Sequence, residues 1–281
     1  VFFAGVLCAF LAMQASPAPP GGLHIEHPSA QSTEDGENTP AGFHFRPGET
    51  VFFRFQISGY QRKEDGDDSR VNLSWQITVT DPKGVAVVEA SKGKLDSRVT
   101  AEDKEWMPVG RRNIVVPGFA PSGEYRIALT VKDEFSGSEA SSETHFLVAG
   151  HDVAPSETLE VRNLRFLRDE EDGHPLDVPA FRPGDTLWVR FDITGYKFGE
   201  GNRFSTEYRV RVLRADGSIA YEQPEATPGE DASFYPQRYV AGVFSLNFPP
   251  DLKTGEYTLI VSVRDKTGDQ GTEATAKFSV E

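Results

Sequence analysis

The chain has 281 residues, 38% hydrophobic and 26% charged, so it can bury cores and is not a disordered polyelectrolyte. Lys and Arg number 29 against 43 Asp and Glu, a formal charge of -14; so acidic a surface repels phosphate backbones and sets nucleic acid aside as a partner. A single cysteine excludes an intrachain disulfide framework, and 20 Phe beside 26 Gly and 19 Pro favour strands and turns over helices.

The first segment, residues 1–19, reads as a signal peptide whose start is truncated. Val1 to Met13 is uncharged and apolar, and a small-residue and proline stretch from Gln14 to Pro20 follows it. The run is shorter than the roughly 20 apolar residues that a spanning helix needs. An uncleaved anchor is the alternative, and it is the only route to a membrane. Cys8 sits inside the apolar run, away from its end, and Gly5-Val6-Leu7 lacks the small residue that a lipobox places directly before the cysteine. The chain is thus expected to be exported: periplasmic, cell-surface or secreted.

The expected domains are residues 20–149 and 158–281, with a linker at 150–157. His24 and His27 fall at the start of the first. Residues three apart on a strand point to opposite faces, so the pair is read as a solvated terminus and not as a metal site. Next come the turn Phe45-Arg46-Pro47-Gly48-Glu49-Thr50 and a strand in which Val51, Phe53, Phe55 and Ile57 alternate with Phe52, Arg54, Gln56 and Ser58. Trp75, Ile77 and Val79 alternate in a second strand, closed by the turn Asp81-Pro82-Lys83-Gly84. Gly123-Glu124-Tyr125 opens a third strand through Ile127, Leu129 and Val131.

The turns and strands recur. Phe181-Arg182-Pro183-Gly184-Asp185-Thr186 answers the first turn. Leu187/Val189/Phe191/Ile193, Tyr208/Val210/Val212 and Gly255-Glu256-Tyr257 with Leu259/Val261/Val263 answer the strands. Spacing between matched residues is constant within strands and changes only in loops, as a duplication of one fold requires. About seven short, one-sided strands per copy predict an all-β chain of two tandem immunoglobulin-like antiparallel β-sandwiches. Tyr125 and Tyr257 stand where such sandwiches keep a tyrosine corner, a hydroxyl bonded to the backbone a few residues upstream.

The order of these motifs, from Phe45 or Phe181 onward, resembles macroglobulin-type and related bacterial immunoglobulin-like modules. The thioester segment Cys-Gly-Glu-Gln of full-length macroglobulins is absent. The resemblance therefore implies a fold and a non-enzymatic role, not protease trapping.

No Gly-x-Ser-x-Gly, His-Glu-x-x-His or glycine-rich phosphate loop occurs, and no catalytic residue is assigned. The sequence calls for no cofactor. The one metal its acidic turns suit is Ca²⁺, through Asp65, Asp67, Asp68, Asp169 and Asp172. Binding is assigned to aromatic side chains: Trp188 (equivalent to Phe52, outward on its strand), Trp106 in one loop, and Phe234, Tyr235 and Tyr239 in the corresponding region of the other copy. The expectation is a non-catalytic binding, adhesion or structural module with a protein or glycan partner. Its rivals are a carbohydrate-active enzyme or its accessory binding domains, and an assembly or chaperone-like subunit pairing an edge strand with a client.

Overall fold

The computed structural model describes residues 22–281, apart from 101, 104 and 172. The signal-peptide reading of residues 1–19, including Cys8, lies outside the described residues. The chain forms strands β1 (His24–Gln31), β2 (His44–Phe45), β3 (Thr50–Ser58), β4 (Lys63–Asp65), β5 (Asp68–Thr80), β6 (Ser91–Val99), β7 (Val109–Val115), β8 (Gly123–Asp133) and β9 (Glu139–Val148). A second series follows: β10 (Glu160–Leu167), β11 (Ala180–Phe181), β12 (Thr186–Thr194), β13 (Phe204–Arg214), β14 (Ile219–Glu222), β15 (Thr227–Asp231), β16 (Tyr239–Asn247), β17 (Gly255–Asp265) and β18 (Gln270–Val280). Among the described residues the only helical segment is one short turn, Glu200–Asn202.

Each series builds the same sandwich. In the first, the sheet β1-β3-β7 faces the sheet β2-β9-β8-β5, which β4 and β6 extend along β5. In the second, β10-β12-β16 faces β11-β18-β17-β13, with β14 and β15 on β13. The two-residue strands β2 and β11 pair in parallel with the last strand of their own sandwich, β9 and β18; the long ladders are antiparallel. Strict alternation supplies the cores: β3 buries Val51, Phe53, Phe55 and Ile57, and β12 buries Leu187, Val189, Phe191 and Ile193. At about 2 kcal/mol for each large apolar side chain removed from water, such ladders dominate the stability of a chain without disulfides.

Packing details are duplicated too. The Phe55 ring lies over Gly110 on β7, where an added Cβ would come within 2.1 Å of it; Phe191 covers Gly242 on β16 in the same way, at 2.2 Å. Both tyrosine corners are present: the Tyr125 hydroxyl donates to the Pro121 carbonyl at 3.0 Å, and that of Tyr257 to the Lys253 carbonyl at 2.6 Å. Burial pushes the Tyr125 phenol up to about 12, although the neighbouring Tyr235 side chain works in the other direction.

The start of the first copy differs from expectation. His24 and His27 belong to no frayed terminus; they are exposed residues of β1, which pairs with β3. A bulge between Glu26 and Ser29 holds His27 at φ 50°, and β10 repeats it between Arg162 and Arg165 with Asn163 at φ 54°. The extra residue shifts the alternation by one, so neither strand shows a clean two-residue period in sequence.

Candidate functional site

The segment 232–238, between β15 and β16, leaves its own sandwich and enters the end of the first one. Tyr235 is only 3% exposed and belongs to the first sandwich's core, where its ring stacks on Phe119 with centroids 5.8 Å apart. Its hydroxyl donates to Asp81 Oδ2 at 2.8 Å, and Arg238 Nη2 donates to the same oxygen at 3.2 Å. Asp81 Oδ1 accepts the Lys83 and Val85 amides, each at 2.8 Å, so the Asp-Pro-Lys-Gly turn shapes a buried socket. A carboxylate side chain with no solvent exposure is tolerable only because four donors, one of them a guanidinium, surround it. Burial, reinforced by the bond to Asp81, raises the Tyr235 phenol far above its ordinary range.

Residues 150–157 do more than tether the copies. The Ser122 amide donates to Asp152 Oδ1 at 2.9 Å, while His151 Nε2 lies 2.9 Å from Asp192 Oδ2 on β12, an oxygen that also accepts Asn163 Nδ2 at 2.7 Å. The His151 and Tyr239 rings meet edge to face at 5.1 Å. Burial, then the nearby Asp192 and Asp152, raises the Tyr239 phenol. Two side chains from the second copy and a stretch between the copies thus fix one sandwich on the end of the other.

The aromatic residues expected to bind a partner are therefore not one surface. Tyr235 is corrected: it is an internal plug, sealed between the sandwiches and inaccessible to a partner. Phe234 beside it is 51% exposed, and Tyr239 is half-buried against His151. Trp106 lies in the loop of the first copy that corresponds to 232–238: Tyr60 donates to the Trp106 carbonyl as Tyr196 does to that of Gln237. Its ring packs edge-on to Tyr60, half-buried. Trp188 is half-buried on the outer face of β10-β12-β16, beside loop 168–179, in a cleft of about 540 Å³ that Arg168, Asp169, Leu176 and Asp185 also line.

Among the described residues no three His, Cys, Asp or Glu side chains converge on a point where a metal would sit. Asp65 and Asp68 pair across the β4–β5 hairpin with Asp67 in its turn, and Asp65 Oδ2 is held by Arg98 Nε at 2.8 Å. Asp169 caps the Glu171 amide at 3.0 Å. Asp172 lies outside the described residues.

Asp81, Arg238, His151 and Asp192 had no signal in the sequence. The turn around Asp81 was legible, but not the charge it offers to a residue more than 150 positions away. No family model matches this chain, and no curated protein does. A search of solved structures finds the C-terminal domain of the Streptococcus agalactiae AgI/II polypeptide BspA, at 9% identity and a TM-score of 0.29, covering 90% of this chain and 100% of that one. A likeness at that level carries no inference about function.

Proposed function

We propose that this protein is an exported, non-catalytic binding or adhesion module, with sandwiches at 20–149 and 158–281, an intervening segment at 150–157 and a signal peptide at 1–19. The observation that carries the reading is the socket at Asp81. A spacer that only needs length is served by a flexible linker. Here a buried, hydrogen-bonded plug fixes one sandwich against the other, which is useful where a surface spanning both must be presented in one shape. The likeness to macroglobulin-type modules fits this role: Arg46 and Arg182 amides donate to Glu49 and Asp185 at 2.8 and 2.7 Å, capping the matched Pro-Gly turns.

The test is an array of glycans and extracellular proteins probed with the intact chain, with every hit then incubated for turnover. The expected result is saturable binding without product, weakened in Asp81→Ala, which frees the joint. Product from any hit would replace the module with an enzyme, and binding unaffected by loosening the joint would remove the role given to the fixed geometry.

A further inference from the structure

We infer that the outer face of the sheet β10-β12-β16 binds an acidic oligosaccharide, its rings stacked on Trp188 and Tyr239 and a carboxylate held between Arg165 and Arg190. The assignment rests on the binding-module reading and names the ligand class for it.

Trp188, Arg190 and Asp192 all point outward from β12, since the residues between them are core. Arg165 on β10 is the direct cross-strand partner of Arg190. Like charges placed opposite one another weaken a sheet unless something neutralises them. Neither arginine makes an ion pair among the described residues. Arg165 Nη1 donates to the Asn163 carbonyl at 3.2 Å, and Arg190 Nη2 donates to the Glu170 carbonyl. The carboxylate nearest along the strand, Asp192, is taken by His151 and Asn163. In a chain with 43 acidic residues, two facing guanidiniums held only by neutral carbonyls form an unfilled anion site.

The first sandwich supplies the contrast. Phe52 and Arg54 occupy the positions of Trp188 and Arg190, but Arg54 faces Ser29 on β1. Its other neighbour, Arg111 on β7, has an acidic partner in Asp35 at 3.5 Å. Arg54 thus also faces an arginine, but its Nε is buried and one guanidinium of that pair has a carboxylate in Asp35, whereas among the described residues neither guanidinium of the Arg165–Arg190 pair has one.

Shape agrees with charge. A cleft of about 320 Å³ lined by His151, Arg165, Arg190, Tyr239 and Val243 lies on the same face as the 540 Å³ cleft at Trp188. Trp188 stands two residues from Arg190, and Tyr239 pairs with Thr194 at the far end of β12. At about 3.3 Å per residue, the two aromatic side chains are separated by about 20 Å along the strand, with the arginines between them. Flat rings spaced along a groove stack on pyranose faces, and a guanidinium fork chelates a carboxylate. A peptide adding to the sheet would instead seek an edge, and this site is a face.

The intact chain should be titrated with tetragalacturonate, with a neutral tetrasaccharide and a polyglutamate peptide as comparators, followed by calorimetry. The expected result is binding of tetragalacturonate alone, weaker at high salt. Arg165→Gln, Arg190→Gln and Trp188→Ala should each weaken it at least about tenfold, the loss expected for one charge-assisted or stacking contact, while Arg54→Gln leaves it unchanged. Arg190 also bonds loop 168–179, so Arg165→Gln decides the matter if Arg190→Gln lowers the melting temperature. Equal binding of the neutral sugar, or undiminished binding by Arg165→Gln, would overturn the site. Binding of polyglutamate alone would overturn the saccharide yet leave the module reading standing, as would failure of all three probes while an array partner binds elsewhere.

Discussion

Two corresponding loops, 100–108 in the first sandwich and 232–238 in the second, leave one fold in different directions. Both precede the last strand of a three-stranded sheet, and both are anchored by a tyrosine hydroxyl on a carbonyl, Tyr60 on Trp106 and Tyr196 on Gln237. The first loop then folds Trp106 back on its own Tyr60. The second sends Tyr235 and Arg238 into the neighbouring sandwich, to a carboxylate whose counterpart in the duplicated turn is Arg214. Duplication therefore supplied the frame twice, and only one end of one copy became a socket. What separates a joint from a free loop here is a single buried acid and the two donors that reach it.

Asp81→Ala attacks that difference most directly. It strands a buried phenol and guanidinium and unties the turn, so unfolding free energy should fall by about 3 kcal/mol. Small-angle scattering should show a broader distribution of shapes. Full retention of the wild-type scattering profile would mean that stacking alone holds the sandwiches together.

Gly110→Ala and Gly242→Ala test how alike the two cores are. A methyl driven into the Phe55 or Phe191 ring should cost about 2 kcal/mol in either case. Denaturation curves that fall by similar amounts would confirm equal packing, and a tolerated change would show that one ring can move aside.

Tyr257→Phe removes one corner hydrogen bond, about 1 kcal/mol. Tyr125→Phe should cost more, because Tyr125 is fully buried beside the joint at Asp81 while Tyr257 lies away from it. Equal losses would uncouple the corner from the joint.

The remaining effect is alkaline. The Tyr125 and Tyr235 phenols are raised in the folded protein, so their contribution is complete below about pH 10, the ordinary phenol value. As pH climbs from there toward 12, the unfolded chain loses protons that the native state keeps, and stability drops. Replacing Tyr235 by Phe should flatten this decline in a melting series; an unchanged slope would assign it to other groups.

Much of the fold was readable because β3, β8 and their counterparts alternate strictly and because matched motifs keep their spacing. β1 was not readable, since the bulge at His27 breaks the period where a short strand can least spare it. The site was harder still. Tyr235 sits among Phe234, Pro236 and Gln237 in what any local reading makes an exposed loop, and burial comes from a surface in the other copy. Arg165 and Arg190 became a pair only through the register that the bulge at Asn163 sets. Cross-strand neighbours and partners between copies are products of tertiary structure, and no local period encodes them.

The parallel pairing of β2 with β9, and of β11 with β18, bears on how the chain would carry load. Phe45 aligns with Val148, and Phe181 with Val280, so in each sandwich the short strand that follows β1 or β10 runs beside the last strand in the same direction. Tension that passes β1 or β10 and is opposed at the last strand slides these strands past each other, straining their hydrogen bonds together instead of unzipping them singly. A protein strung between two anchored points would resist pulling most at these patches, beside the edge-to-face Phe45–Phe146 and Phe181–Phe278 rings.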